Sequence, residues 1–290
     1  MAAIEQKKAK PVLGFLANVA LVIIFAFFLL PFYWIVAMSL MTNKEILTFP
    51  PHIIFTPTLD NYRALITGHL STSVGTLTIN YMLNFRNSLV ISSGAVLLSL
   101  LVGVPCAYAL ARYRFRGADS IAFTILSFRF APPLLVIIPL ALIYQSIGLY
   151  NTFQGLIWVY QLITLPLIVW IVRGYFEDVS SEVEFACRLD GYSWWRTFIK
   201  ISLPLARPGI AAAALLAFIY AWNNFIFALV LGSSGVQPVT VAALSFMTAS
   251  GLQYGQMAAA MIISVIPILA LAIYAQRFLV RGLSMGSIKG

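Results

Sequence analysis

The run VLGFLANVALVIIFAFFLLPFYWIVAMSL, from Val12 to Leu40, contains no charged side chain. A helix needs about 20 mainly apolar residues to cross the hydrocarbon of a bilayer, and this run is longer than that. It follows Lys7, Lys8 and Lys10, as the apolar part of a signal peptide does, but it is too long for a signal peptide. We therefore predict a retained membrane-spanning helix.

The composition of the whole chain also indicates a membrane protein. Hydrophobic residues make up 61% of it and charged residues 9%, whereas soluble domains average about 45–50% and about 25%. The formal net charge of +9 does not indicate a nucleic-acid-binding protein, because the cations lie between apolar stretches and not on one continuous face.

Further long apolar stretches follow, and each predicts a helix because backbone hydrogen bonds must be satisfied internally in lipid. The chain is therefore predicted to be an all-α polytopic membrane protein with about six transmembrane helices. The predicted spans are approximately Val12–Leu40, Asn87–Ala111, Ser120–Tyr144, Thr152–Val172, Gly209–Leu231 and Gly255–Val280. They form one predicted domain of residues 12–281, between an N-terminal tail, 1–11, and a C-terminal tail, 282–290.

The distribution of Lys and Arg orients the predicted spans, since cytoplasmic connections carry an excess of both. With the N-terminus in the cytoplasm, only Lys44, Arg63 and Arg86 fall outside, and most of the others fall inside. We thus expect a multi-pass protein of the plasma (inner) membrane with both termini in the cytoplasm. Two connections exceed simple turns, an outer segment, 41–86, and a cytoplasmic loop, 174–208.

Metal and catalytic sites are not expected. Cys106 falls in a predicted span and Cys187 in the cytoplasmic loop, so a disulfide is not expected either. His52 and His69 lack ligand-like spacing, and no G-x-x-x-x-G-K-[ST] phosphate loop occurs. We expect this chain to bind no ATP or other cofactor and to have no catalytic residue.

The cytoplasmic loop contains the stretch SEVEFACRLDGYSWWRTFIKISLPLARP, from Ser181 to Pro208. Ser181 and Glu184 fit the S-x-x-E capping box, which predicts that a helix starts there. Gly191 is the predicted stop, because glycine tolerates a positive φ at a helix end. A second amphipathic stretch begins near Ser193, so we predict a short helix, a tight turn and a second helix.

Two roles for this loop are compatible with the residues alone. It is either an interfacial helix held by Trp194 and Trp195, or a docking element for a soluble partner protein. Val183, Ala186 and Cys187 share an apolar face at i, i+3, i+4 spacing, which suits both roles.

The loop resembles the EAA loop of ABC importer permeases, whose pattern is E-A-A-x-x-D-G followed by I-x-L-P. The residues that match it in type and spacing are Ala186, Asp190 and Gly191, and then Ile201, Leu203 and Pro204. Phe185 stands where the pattern has Glu, with Glu184 one place earlier. Cys187 replaces the second Ala, and Tyr192 replaces the Ala that usually follows the Gly.

The resemblance extends over most of the chain from Asn87 onward. Stretches similar to sugar-importer permeases are Asn87-Ser88-Leu89, Ala107–Arg112, Pro132-Pro133, Trp222-Asn223, Gln276–Leu283 and Ile288-Lys289-Gly290. The chain is identified as a member of the MalG-like branch of carbohydrate ABC importers. This resemblance implies a type I ABC importer permease (MetI-like) fold.

In this family the loop forms a coupling helix that seats on a separate ATPase, which binds ATP and Mg and drives alternating access. The residues that the resemblance assigns to this coupling loop are Glu184, Ala186, Leu189, Asp190, Gly191, Leu203 and Pro204. Asp190 is expected to cap the second helix or to bond loop amides. The implied partners are a second permease subunit, two ATP-binding subunits, an extracellular or periplasmic solute-binding protein and a sugar.

The resemblance also implies contacts at two other places. The C-terminal tail, Gly282–Gly290, would contact the ATPase dimer. The outer stretch Asp60–Arg63 would face the solute-binding protein.

Arg129 lies inside the third predicted span. A cation at that depth costs at least about 2.5–3.5 kcal/mol unless it faces a cavity or a partner. We place it near the translocation path, beside Pro132-Pro133, with snorkelling to the interface as the alternative. Sugar sites combine flat apolar faces with hydrogen-bonding groups. The other path candidates are Tyr160, Gln161, Trp222, Asn223 and Asn224, for which helix packing is the alternative role.

Other classes of membrane protein fit the residues less well. An ion-gradient-driven secondary transporter needs intramembrane carboxylates, whereas all 9 Asp and Glu residues fall in loops or near helix ends. A membrane enzyme needs clustered catalytic side chains at one membrane face, and the sequence indicates none. A structural membrane subunit stays open, as does the solute among disaccharides, oligosaccharides, polyols and glycerol phosphate.

Overall fold

The computed structural model describes residues 11–51, 53–72, 75–113, 115–233, 235–248 and 251–286. The predicted N-terminal tail up to residue 10 and residues 287–290 of the C-terminal tail lie outside these ranges. The chain divides into two units, residues 1–77 with 248–263 and residues 78–247 with 264–290.

Helices dominate the described chain, with two small two-stranded sheets, β1-β2 and β3-β4. The elements of the first part are α1 (Pro11–Ser39), α2 (Asn43–Ile46), α3 (Asp60–Thr67), β1 (His69–Thr72), β2 (Gly75–Thr78), α4 (Tyr81–Arg112), α5 (Ala118–Ser127), α6 (Pro133–Ser146) and α7 (Phe153–Val159). Those that follow are α8 (Gln161–Asp178), α9 (Ser181–Leu189), α10 (Trp194–Thr197), α11 (Leu203–Leu205), α12 (Arg207–Trp222), α13 (Ile226–Leu231), α14 (Val239–Ala242), β3 (Met247–Thr248), β4 (Gly251–Leu252) and α15 (Tyr254–Gly286).

Among the described residues, three helices are each long and apolar enough to cross a membrane. They lie at Ala17–Ser39 in α1, Tyr81–Arg112 and Tyr254–Phe278 in α15, where the first, second and sixth spans are predicted. Pairs of helices with a bend between them bring the number to as many as 6 in this part of the chain. Because α4 begins at Tyr81, the predicted outer segment, 41–86, includes its first turn.

The third predicted span, Ser120–Tyr144, is not a single helix. Its first part ends at Phe130, its second part begins at Pro133, and the two differ in direction by 93°. Pro132 and Pro133 have no N–H to donate, and each disfavours helical backbone in the residue before it. The prolines therefore explain the break.

The fourth predicted span, Thr152–Val172, is bent by 44° at Tyr160. The sequence has neither proline nor glycine at this position. Tyr160 is 1% exposed and lies in an apolar cluster with side chains of α4, α6, α7 and α13. Tertiary packing thus accompanies a bend that local sequence does not indicate.

The fifth predicted span, Gly209–Leu231, is interrupted between α12 and α13, at residues 223–225. The Asn223 side chain donates to the Ile219 carbonyl oxygen at 2.8 Å. Such local side-chain bonds compete with the helical ladder, which is why Asn favours helix ends over helix interiors.

The second unit is built on the packing of α4, α8 and α12. Small side chains lie at the contacts, and Ala107, Ala213 and Ala217 are fully buried. Small residues let helix backbones approach closely, which is how helices associate in lipid. This packing positions the C-terminal end of α4 beside the loop between α8 and α12.

The contact between α12 and α8 at Gly209 provides a test. A Cβ atom at residue 209 would lie 2.1 Å from Cγ of Tyr175. We predict that Gly209→Ala lowers the thermal unfolding midpoint of the detergent-solubilised protein, because Tyr175 must shift.

Gly174→Ala in α8 is the matched control for Gly209→Ala. Among the described residues, no atom lies within 4 Å of a Cβ at residue 174. Helix propensity should make this change neutral or stabilising by up to about 1 kcal/mol. Equal midpoints for the two variants would contradict the close approach at Gly209.

Candidate functional site

The helix α9 begins at Ser181, where the sequence predicts its start, but it is capped differently. Ser180 is the N-cap, and its side chain accepts a hydrogen bond from the Glu182 N–H at 3.2 Å. Ser181 is the first helical residue, so Glu184 is not at the position that a capping box requires. The predicted helix start is therefore confirmed, but the predicted capping box is wrong because the Glu184 carboxylate has other partners.

Glu184 is 4% exposed and turns into the protein. Its Oε1 accepts hydrogen bonds from Arg112 Nε at 2.9 Å and from Ser202 Oγ at 2.8 Å. Its Oε2 accepts from the Tyr108 hydroxyl at 3.1 Å. A buried carboxylate is destabilising unless it is paired and hydrogen-bonded, and these donors satisfy it. We call Glu184, Arg112, Tyr108 and Ser202 the Glu184 cluster.

The Glu184 cluster also joins the end of α4 to the segments on either side of α9. Arg112 Nη2 donates to the Val179 carbonyl oxygen at 2.8 Å, between α8 and α9. The Tyr108 ring packs against Phe176 of α8 and against Phe198, with centroid distances of 5.2 and 4.7 Å. The loop has two arms: the first is α9, and the second runs from α10 to α11. Both arms are therefore held by α4.

The turn after α9 has the geometry that its glycine predicts. Gly191 has a φ of +87°, a conformation that side chains with a Cβ rarely adopt. The Gly191 N–H donates to Arg188 O at 3.0 Å, and the Tyr192 N–H donates to Cys187 O at 3.1 Å. The predicted stop at Gly191 is confirmed. We call Leu189–Tyr192 the loop tip.

The apolar side chains of α9 point away from the described chain. Leu189 is 90% exposed and Phe185 is 58% exposed. Of the predicted apolar face, Val183 and Ala186 are exposed and Cys187 is half-buried. That face is not packed within the described residues, because a carboxylate takes the inward position. Exposed apolar side chains grouped in this way indicate an interaction surface.

The second arm of the loop is capped by Ser193, whose side chain accepts from the Arg196 N–H at 3.3 Å. The prediction that Asp190 caps this helix is therefore wrong, and Asp190 lies exposed at the end of α9. A π-helical turn follows α10 and leads to Leu203 and Pro204, which are half-buried. Pro204 has no N–H, which loosens the hydrogen-bond ladder of this turn.

Trp194 and Trp195, the anchors of the predicted interfacial helix, both contact side chains of the loop. The Arg188 guanidinium lies over the Trp194 ring at 3.6 Å. Trp195 stacks on Phe198 with ring centroids 5.4 Å apart. The Arg188–Trp194 contact braces the second arm against the first, and each indole stays partly exposed.

Arg129 lies in a short 3-10 turn, Phe128–Phe130, immediately before the break at Pro132. Its guanidinium is 4.2 Å from the centroid of the Tyr220 ring on α12. Among the described residues, its buried Nη1 has no hydrogen-bond partner. The cation is thus stabilised by an aromatic face inside the helix assembly and retains one unused donor group.

Tyr160 and Gln161 take part in helix packing. The Tyr160 side chain is buried, as described for the bend in the fourth span. Gln161 Nε2 donates to Ala95 O at 3.1 Å and to Ile157 O at 2.9 Å, and its Oε1 accepts from Ser99 Oγ at 2.5 Å. These contacts fit the alternative role of Gln161 in helix packing. The buried Tyr160 hydroxyl has no hydrogen-bond partner among the described residues, so its place on the path stays a prediction.

The remaining candidates lie where α12 ends. Trp222 is 3% exposed and packs against Phe218 and Phe85, which fits the alternative role in helix packing. Asn223 is exposed, and Asn224 is half-buried. Within the described residues, Asn224 Oδ1 is buried without a hydrogen-bond partner.

Sequence reasoning assigned no role to Arg112, Tyr108 or Ser202 in the Glu184 cluster. Tyr108 and Arg112 are four residues apart, so they share one face at the cytoplasmic end of a predicted span. Two hydrogen-bond donors at this spacing, together with a glutamate in the loop, form the pattern that could have indicated this contact. The sequence shows no comparable spacing at Tyr220, whose ring lies against the Arg129 guanidinium.

The comparisons with known proteins agree with this geometry. The family model described as "binding-protein-dependent transport system inner membrane component" matches residues 99–285. The trehalose transport system permease protein SugB of Mycobacterium tuberculosis is 32% identical over 90% of this chain and 93% of its own length. The trehalose/maltose transport system permease protein MalG of Thermococcus litoralis is 31% identical over 90% of this chain and 92% of its own length.

A solved structure supports the fold. A chain of a bacterial ABC transporter involved in the import of the acidic polysaccharide alginate superposes with a TM-score of 0.72. The match covers 96% of this chain and 99% of the other at 22% sequence identity. The predicted type I importer permease fold is confirmed.

Proposed function

The chain belongs to the binding-protein-dependent transport system inner membrane components and is a permease subunit of an ABC importer, and on that premise we propose that it carries a sugar or sugar-like solute. The proposal for the solute is supported by the names of its relatives, which are permeases for trehalose and maltose. Translocation proceeds by alternating access, in which helices rock around a central path.

The loop tip and the outward face of α9 form the docking element for the ATPase. The observation that carries this proposal is the 90% exposure of Leu189 at the end of a helix anchored by the Glu184 cluster. An exposed apolar side chain on a firmly held helix suits a contact that must transmit force. Phe185 stands at the Glu position of the family pattern, so the matching surface of the ATPase is apolar at that point.

The other partners follow from the same assignment. Two ATP-binding subunits bind ATP and Mg and hydrolyse the nucleotide, while this chain contributes no catalytic residue. A second permease subunit completes the path, and an extracellular or periplasmic solute-binding protein delivers the solute to the outer side, where Asp60–Arg63 lies. The loop 174–208 and both termini are cytoplasmic, as the excess of Lys and Arg there supports. The tail Gly282–Gly290 contacts the ATPase.

The translocation path runs past Arg129 and the break between α12 and α13. Arg129 retains an unused donor group, and Asn224 retains an unused acceptor. Unsatisfied buried polar groups in a membrane protein indicate water or a polar solute nearby. Asn223 adds an exposed amide beside them.

Gly191 at the loop tip provides the test of ATPase docking. We predict that Gly191→Val abolishes ATP-driven solute uptake, because valine does not adopt a φ of +87° and the tip must rearrange. The variant should still insert into the membrane. Uptake into proteoliposomes that contain the assembled importer is the measurement.

Gly117→Val is the matched control for Gly191→Val. Gly117 has a φ of +89° and, like Gly191, no described atom within 4 Å of its Cβ position. It is the N-cap of α5, outside the loop 174–208. The control should keep uptake, and normal uptake by Gly191→Val would refute the docking assignment.

Arg129 provides the test of the translocation path. We predict that Arg129→Leu lowers uptake by about tenfold or more, equivalent to roughly 1.4 kcal/mol, while assembly with the other subunits is unchanged. Arg86→Leu, at an exposed arginine of α4, is the control and should transport normally. An unchanged uptake rate in Arg129→Leu would show that this arginine is not on the path.

A further inference from the structure

The ion pair between Arg112 and Glu184 differs from the other ion pairs in the described chain. Its two side chains are 10% and 5% exposed. In each of the other pairs, Arg63 with Asp60 and Arg173 with Asp119 and Glu177, the carboxylate side chain is 48% or more exposed. Exposed pairs contribute little to holding elements together, whereas separating a buried pair leaves a charge without a partner.

The partners of the Glu184 carboxylate come from opposite sides of the loop. Tyr108 and Arg112 belong to the last turns of α4, and Ser202 belongs to the second arm. Arg112 also holds the chain just before α9 through the Val179 carbonyl oxygen. If α9 moved without α4, the hydrogen bonds from Tyr108 and Arg112 to Glu184 would break inside a site walled by aromatic rings.

The helix α4 is in turn the main packing partner of α8 and also packs against α12 in the second unit. A displacement of its cytoplasmic end therefore reaches the helices that carry Tyr220 and the α12–α13 break. The loop tip lies at the far end of α9 from this anchor, so α9 connects the proposed ATPase contact to the Glu184 cluster. Coupling of this kind needs a contiguous chain of packed and hydrogen-bonded groups.

We propose that Arg112 and Glu184 form the joint through which movement of the coupling loop is transmitted to α4. Both are positioning residues: they touch neither solute nor nucleotide, and they make the loop and the first long helix of the second unit move together. This inference rests on the proposed function of the loop as the ATPase contact.

A joint and a purely structural ion pair differ in one measurable quantity, the amount of solute taken up per ATP hydrolysed. Removing a purely structural pair reduces how much importer assembles, so uptake and ATP hydrolysis fall in proportion and their ratio is unchanged. Removing a joint lowers the ratio, because ATP hydrolysis continues while the movement of the coupling loop is no longer transmitted to the helices.

The experiment uses the complete importer in proteoliposomes with its solute-binding protein. Glu184→Gln keeps the shape of the side chain but removes its charge. The double variant Arg112→Met with Glu184→Leu removes both charges and leaves no unpaired ion, a replacement that buried pairs often tolerate without loss of stability. Asp119→Asn, which removes the charge of an exposed pair between α5 and α8, is the control.

We expect the double variant to assemble and hydrolyse ATP while its uptake per ATP falls about 3- to 30-fold, the range found for positions on coupling networks. Uptake per ATP should also fall in Glu184→Gln, and Asp119→Asn should keep the wild-type ratio. A wild-type ratio in the assembled double variant would overturn the proposal. Failure of the double variant to assemble, with normal assembly of Asp119→Asn, would also overturn it in favour of a structural role.

The same experiment separates this inference from the proposed function. If the wild-type importer shows no ATP-driven uptake with this chain present, the proposed function fails. If wild-type uptake is ATP-driven and the ratio is unchanged in the variants, only the joint fails.

Discussion

The buried carboxylate of Glu184 constrains the loop between α8 and α12 of this permease subunit. A negative charge in the protein interior must have donors at hydrogen-bond distance, and Arg112, Tyr108 and Ser202 provide them. Satisfying the charge fixes α9 against the end of α4. It also leaves the apolar side chains of α9 facing outward, so one electrostatic requirement accounts for both the anchor and the exposed apolar surface.

A second constraint comes from the bilayer, which allows backbone to leave the helical conformation only where other groups replace the lost hydrogen bonds. Breaks in the described chain lie at Pro132-Pro133, at Tyr160, at Ala206 and between α12 and α13. The Gln161 amide, next to the break at Tyr160, is engaged by neighbouring helices. Arg129, Tyr160 and Asn224 keep buried polar atoms without a partner among the described residues, and all three lie at or close to breaks.

The class of protein and the positions of three long helices could be predicted from the sequence. Long runs without charge, such as Val12–Leu40, leave lipid as the only suitable environment, and the turn at Gly191 was predictable because few residues tolerate its φ. Spacing in the loop indicated the family even though Phe185 and Cys187 depart from the pattern.

What could not be predicted depended on contacts between distant parts of the chain. Ser181 fits a capping box by local pattern, but the pairing of Glu184 with α4 overrides it. The bend at Tyr160 has no local cause in the sequence, and the use of Gln161 in packing depends on Ser99, 62 residues away. Hydropathy locates apolar segments, but it does not reveal which of their polar side chains are already bonded.

The proposed mechanism requires, above all, contact between the loop tip and an ATPase. The direct measurement places a photo-crosslinker on Leu189→Cys, with Cys106 and Cys187 replaced by alanine, in the assembled importer. We predict a covalent product with the ATP-binding subunit, and none when the crosslinker is placed at Phe115→Cys between α4 and α5. Absence of that product, or labelling of residue 189 only from the extracellular side, would contradict the account.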